Sequence, residues 1–144
     1  MYWDDSNQDS RGILGKWDFS TAKKAFILFQ EAGGAVAGFN ISANGTNTIT
    51  GPVTGTLTNN KWVHLVGTYD GANIRLYVNG SESSNTASSV TLFSTDINLD
   101  IGQFNDSSRA YTDQIAQPRI YNRALTAEEV LRNYNSGKNT YTND

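Results

Sequence analysis

KWVHLVGTYDGANIRLYVNG, residues 61–80, is the stretch from which the rest of the chain is read. From Trp62 onward the residues alternate, with Trp62, His64, Val66 and Thr68 on one side of an extended chain and Val63, Leu65, Gly67 and Tyr69 on the other. Asp70-Gly71 supplies a turn. Ile74, Leu76 and Val78 then alternate with Arg75, Tyr77 and Asn79 until Asn79-Gly80 turns the chain again. A period of two on both sides of a turn predicts an antiparallel hairpin.

Outward from this hairpin, short apolar or alternating runs recur between turn signals. They predict strands over 13–17, 25–30, 35–42, 47–50, 53–57, 89–93, 97–101 and 114–122. The chain of 144 residues carries 16 Asn, 15 Thr, 13 Ser and 13 Gly, a composition of short strands joined by polar turns. Its length corresponds to one domain, and so many short strands in one domain point to a sandwich or barrel. A helix is predicted only at the end. Thr126-x-x-Glu129 makes a capping box, Leu125 and Val130 stand at hydrophobic-staple positions, and Ala127, Val130, Leu131 and Tyr134 form one apolar stripe before Gly137. Residues 81–89, SESSNTASS, read as a mobile loop, 138–144 as a flexible tail and 1–11 as a lead-in to the domain over 12–137.

Three segments in order, ILGKWD at 13–18, the hairpin at 61–80 and RIYNRALTAEEVLRNYN at 119–135, resemble the laminin-G-like branch of the concanavalin A-like lectin/glucanase superfamily. The resemblance implies an all-β antiparallel sandwich of jelly-roll type with a short C-terminal α-helix. Folds of this kind host lectins, hydrolases and adhesion modules alike. Relatives begin with a further segment of roughly 25–40 residues that includes a strand, set against typical domain sizes. Residues 1–11 are therefore expected to be the remnant of a truncated first strand. Relatives also carry an acidic Ile-Asp-Glu-Val where this chain reads Ile115-Ala116-Gln117-Pro118, and Pro118 has no N–H to give a ladder.

With 11 basic and 14 acidic residues, a net charge of −3, the chain offers no basic field for nucleic acid. No run of roughly 18 apolar residues predicts membrane insertion, and the first residues show no signal-peptide pattern. Having no cysteine removes disulfides and thiolate chemistry. The hydrolases of the superfamily present their carboxylates on a Glu-x-Asp-x-Glu strand, and the four glutamates here, Glu31, Glu82, Glu128 and Glu129, do not form one. His64, the only histidine, reads as a core or interface residue in a strand. No enzyme is expected. No cofactor is expected either. Calcium is the metal whose oxygen ligands the chain could supply, from Asn105, Asp106 and Asp113, but ordinary Asx turns account better for those residues, and Ala116 stands where relatives supply an acid.

Sugar recognition uses an aromatic face with polar groups beside it, and two stretches combine them: KWDF at 16–19 and QFNDSSRAY at 103–111. The candidate ligand residues are Trp17, Asp18, Phe104, Asn105, Asp106, Arg109 and Tyr111, with Tyr111 and Arg109 expected to be exposed, and Trp17 and Phe104 equally readable as core. This places the ligand surface on the 104–111 loop and not on the 62–79 hairpin. The function expected is non-catalytic binding of a glycan or cell-surface polysaccharide by an extracellular, cell-surface or virion protein. The alternative is a module that binds other protein subunits through an open sheet edge.

Overall fold

The computed structural model describes residues 1–3, 10–32, 35–46, 53–104 and 109–141. Among these residues ten strands and one helix follow in chain order: β1 Tyr2–Trp3, β2 Arg11–Lys16, β3 Lys24–Gln30, β4 Val36–Gly45, β5 Val53–Thr56, β6 Lys61–Trp62, β7 Leu65–Tyr69, β8 Asn73–Val78, β9 Ser81–Ala87, β10 Asp100–Ile101 and α1 Ala127–Gly137. All pairings among the described residues are antiparallel. One sheet has the order β10-β2-β3-β4-β5, a second β7-β8-β9, and β1 and β6 form a two-stranded ribbon.

The two larger sheets pack face to face. Phe39 and Ile41 of β4 meet Ile74 and Leu76 of β8, with Phe26, Leu28 and Tyr69 against them. The alternate residues of β3, Ile27 and Phe29, lie on the opposite face with Trp17 and Phe104. The unbroken apolar run AFILF of β3 is thus a strand with packing on both faces, which sheds the alternation of a one-sided sheet.

The 61–80 hairpin forms as expected, with Tyr69 opposite Ile74 and Leu65 opposite Val78. Asp70 closes its turn by accepting the N–H groups of Ala72 at 2.8 Å and Asn73 at 2.7 Å, and Arg75 donates to its second oxygen. The bond from Arg75, with those backbone donors, holds the Asp70 carboxyl at about 2. The predicted strand over 62–69 is cut in two, however. Asn79 accepts from the His64 N–H through its side chain at 3.0 Å and donates its own N–H to the His64 carbonyl at 2.8 Å, while Val63 donates to Met1 at 2.7 Å. Residues 61–62 therefore pair with β1 and residues 65–69 with β8.

Of residues 81–89, expected as a mobile loop, 81–87 form β9 instead. Asn79 and Gly80 have φ of 50° and 84°, the geometry of a two-residue hairpin turn, which sets Ser81 opposite Val78. Ser83 of this strand lies against Gly55 of β5, where an added Cβ would stand 2.6 Å from the Ser83 hydroxyl. The strands predicted over 89–93 and 114–122 do not form, and only 100–101 of 97–101 does. Gln117, at φ 50°, turns the chain just before Pro118, which cannot donate to a ladder. The strand predicted over 47–50 lies outside the described residues. The tail expected to be flexible docks through its described part, with the Tyr141 ring 4.7 Å from that of Trp62.

The helix forms where the capping box predicted it. Thr126 Oγ1 accepts from the Glu129 N–H at 3.3 Å and Glu129 accepts from the Thr126 N–H at 2.9 Å. Val130 and Leu125 seat the helix on Tyr77 and Val66 of the β7-β8-β9 sheet. Thr126→Ala is expected to lower the unfolding free energy by about 0.5–2 kcal/mol, read from the denaturant midpoint; an unchanged midpoint would mean that the cap is not coupled to the core. The paired bonds from Arg123, with the Thr126 N–H, hold the Glu129 carboxyl at about 2. A lowered carboxyl pKa stabilises the fold above the ordinary carboxylate range, and that contribution fades as pH falls toward about 2. Stability between pH 4.5 and about 2 is expected to fall less steeply in Glu129→Gln than in the wild type.

Candidate functional site

The two stretches singled out by their aromatic and polar mixture meet at one corner of the molecule, on the outer face of the five-stranded sheet. The chain leaves β2 through Trp17 and Asp18, and residues 102–104 and 109–111 are stapled back along the same strand. Gly102 donates to Ile13 at 2.9 Å, Gly12 to Arg109 at 3.3 Å and Tyr111 to Gly102 at 2.7 Å, and the Arg11 guanidinium reaches the Ala110 carbonyl. This close approach needs Gly12, since a Cβ there would stand 2.4 Å from the Gln103 carbonyl oxygen.

Within the corner the roles differ from those expected. Trp17 is 2 % exposed and Phe104 1 %, packed with Ile27 and Phe29. They are the core of the outer layer and offer no face to a ligand. Tyr111, expected to be exposed, is buried at 8 %. Asp18 is buried too, and its Oδ1 accepts from the Ser20 N–H and hydroxyl, both at 2.7 Å, and from the Thr21 N–H at 3.2 Å. This is an Asx turn, and it presents the next residue. Asn105 and Asp106 lie outside the described residues.

The residue presented is Phe19, 43 % exposed, standing edge-on to Phe104 at 4.7 Å between centroids. The Arg109 guanidinium lies 4.9 Å from its ring centre and the Lys24 ammonium 5.8 Å. Lys24 is itself held by the Thr46 carbonyl at 2.9 Å. The corner is thus a solvent-facing aromatic ring on a rigid aromatic base, with two cations beside it. Phe19 is legible as part of KWDF but looks no different there from Trp17; the Asx signature Asp-x-Ser-Thr at 18–21 is the signal that it projects outward.

A concavity lies on the hairpin, where no ligand surface was expected. A cavity of about 580 Å³ opens between the two sheets and is lined by β7, by residues 115–125 and by inward side chains of the larger sheet such as Phe26 and Leu28. Leu92, Ile120 and Tyr121, exposed at 39 %, 52 % and 44 %, stand along it. His64 borders the cavity with its ring 5.9 Å from Tyr134, and burial, followed by nearby positive charge including Arg119, pushes its pKa down. No group of three His, Asp or Glu side chains that could hold a metal occurs among the described residues. No helix among them is long and apolar enough to cross a membrane.

Phe104→Ala is expected to cost about 3–5 kcal/mol of stability, the range for a buried ring, whereas Arg109→Ala leaves the denaturation midpoint within about 0.5 kcal/mol. Equal losses in the two variants would contradict this division between base and rim.

A family model of the concanavalin A-like lectin/glucanases superfamily, of laminin-G type, matches residues 1–131. The match begins at residue 1, before the segments that carry the resemblance. A comparison with curated proteins gives no match. Among solved structures, residues 221–444 of an S-layer domain-containing protein from Clostridium thermocellum align at 20 % identity with a TM-score of 0.42, over 93 % of this chain and 67 % of that one.

Proposed function

The chain belongs to the concanavalin A-like lectin/glucanases superfamily, and we propose that it acts there as a non-catalytic recognition module for a glycan or glycosylated surface. The observation that carries this reading is the exposed Phe19 ring with Arg109 and Lys24 beside it. The apolar face of a pyranose stacks on such a ring. Neighbouring cations donate charge-assisted hydrogen bonds, and two of them favour a sugar that bears a carboxylate or sulfate. The buried base of Trp17 and Phe104 keeps the ring in place, which lowers the ordering cost of binding. Recognition without turnover agrees with the missing Glu-x-Asp-x-Glu strand. A place on a secreted, cell-surface or virion protein belongs to the same proposal, since that is where such glycans are met.

On an array of neutral, uronic-acid and sulfated glycans, binding is expected to favour the anionic members and to weaken as salt rises. Phe19→Ala and Arg109→Ala should each weaken the best ligand by about 1–3 kcal/mol, while the melting temperature of Arg109→Ala stays near that of the wild type. Full affinity in both variants, or an array that binds nothing, would sink the reading.

A further inference from the structure

We propose that the cleft along β7 is a docking groove for an extended polypeptide of another protein, which adds to the β7-β8-β9 sheet as a strand. This inference is independent of the glycan reading and uses the opposite side of the five-stranded sheet.

Four observations converge on β7. Its only pairing among the described residues is with β8, so the other edge carries main-chain N–H and C=O groups with no ladder. Leu65, Gly67 and Tyr69 lie on one face of that strand and Val66 and Thr68 on the other, yet all five line the same cavity. A cleft that runs along the free edge meets consecutive residues in this way. Thr68 is 5 % exposed, and its hydroxyl has no hydrogen-bond partner among the described residues, so a buried polar group waits beside the edge. The charge of the cleft is one-sided: among the described residues Arg119, Arg123 and Lys138 border it and no Asp or Glu does, in a chain whose net charge is −3. Arg123 is engaged by Glu129 and Arg119 meets the neutral Gln117, which leaves Arg119 and Lys138 without an acidic partner among the described residues.

These features describe the occupant. A free edge takes an extended chain through its main-chain groups, and apolar walls take every second side chain. The cationic border takes carboxylates, so the segment is one of alternating apolar residues ended by Asp or Glu. A small apolar molecule would fill the cavity but would use neither the edge nor the charge.

The probe is a fluorescein-labelled nonapeptide of alternating valine and threonine ended by two glutamates, titrated by anisotropy against the whole chain. Saturable binding is expected. N-methylation of alternate backbone amides should abolish it in one frame and leave it within about twofold in the other, because only one set of N–H groups faces β7. The double variant Arg119→Glu, Lys138→Glu, at two exposed positions, should bind the glutamate-ended peptide about tenfold more weakly and a lysine-ended peptide more tightly, a change of about 1.4 kcal/mol. No binding at about 1 mM peptide, equal tolerance of N-methylation in both frames, or an unchanged affinity after charge reversal would each overturn the proposal. So would stoichiometric uptake of anilinonaphthalene sulfonate that no peptide displaces, since the cleft would then be a small-molecule pocket.

Discussion

Two consecutive residues in the left-handed backbone region, Asn79 and Gly80, hold most of this architecture in place. Their turn sets the register of β9 on β8. The Asn79 amide and main chain clamp His64, which separates the β1-β6 ribbon from the β7-β8-β9 sheet. The helix rests on the same point, because a Cβ on Gly80 would stand 3.0 Å from both Leu131 and Tyr134. A side chain there would meet a strained φ and the helix at once. The turn thus couples three separate pieces of the domain: the second sheet, the N-terminal ribbon and the C-terminal helix.

Much of this is legible from local chemistry. The hairpin, the capped helix and strands β2, β3 and β4 arise from alternation, short apolar runs, turn residues and caps, all of which act within a few positions along the chain. The departures share a cause. SESSNTASS has no run of apolar residues to mark a strand, but Asn79-Gly80 already implies a partner for β8, and a turn of that type outweighs the composition of the segment it leads into. Conversely, residues 114–122 have the apolar content of a strand, and Pro118 with the turned Gln117 denies them a ladder. Pairing is a property of two strands, and composition describes only one.

The candidate corner is legible in the sequence as a place and not as a set of roles. KWDF and QFNDSSRAY both carry the mixture of a surface site, and they do meet, across more than 80 residues of chain. Which aromatic faces outward depends on β3, since Ile27 and Phe29 draw Trp17 and Phe104 into a second core on the far side of the sheet. Once that layer is filled, Phe19 is left on top, and the Asp18 carboxylate is consumed by the turn that puts it there. A pattern of alternating aromatic and polar residues is the same for a core strand and for a binding platform, so only the long-range contact separates them.

Burial is distributed unevenly between the two faces of the larger sheet, and this asymmetry bears on how the domain is completed. On β3 the outer residues Ile27 and Phe29 are 2 % and 6 % exposed, whereas their inner neighbours Phe26 and Leu28 are only partly buried although they face the second sheet. In a closed sandwich the inner face is the drier one, because both sheets contribute to it. Here the inner layer is driest at Ile41, Ile74 and Leu76 and opens beside the edge of β7, where Ile120 and Tyr121 also remain accessible. Apolar area left in water gives up about 25 cal/mol per Å². A further extended segment along β7 would recover that term and satisfy the edge at the same time, with no rearrangement of the turn at Asn79-Gly80 that holds the other side of the sheet.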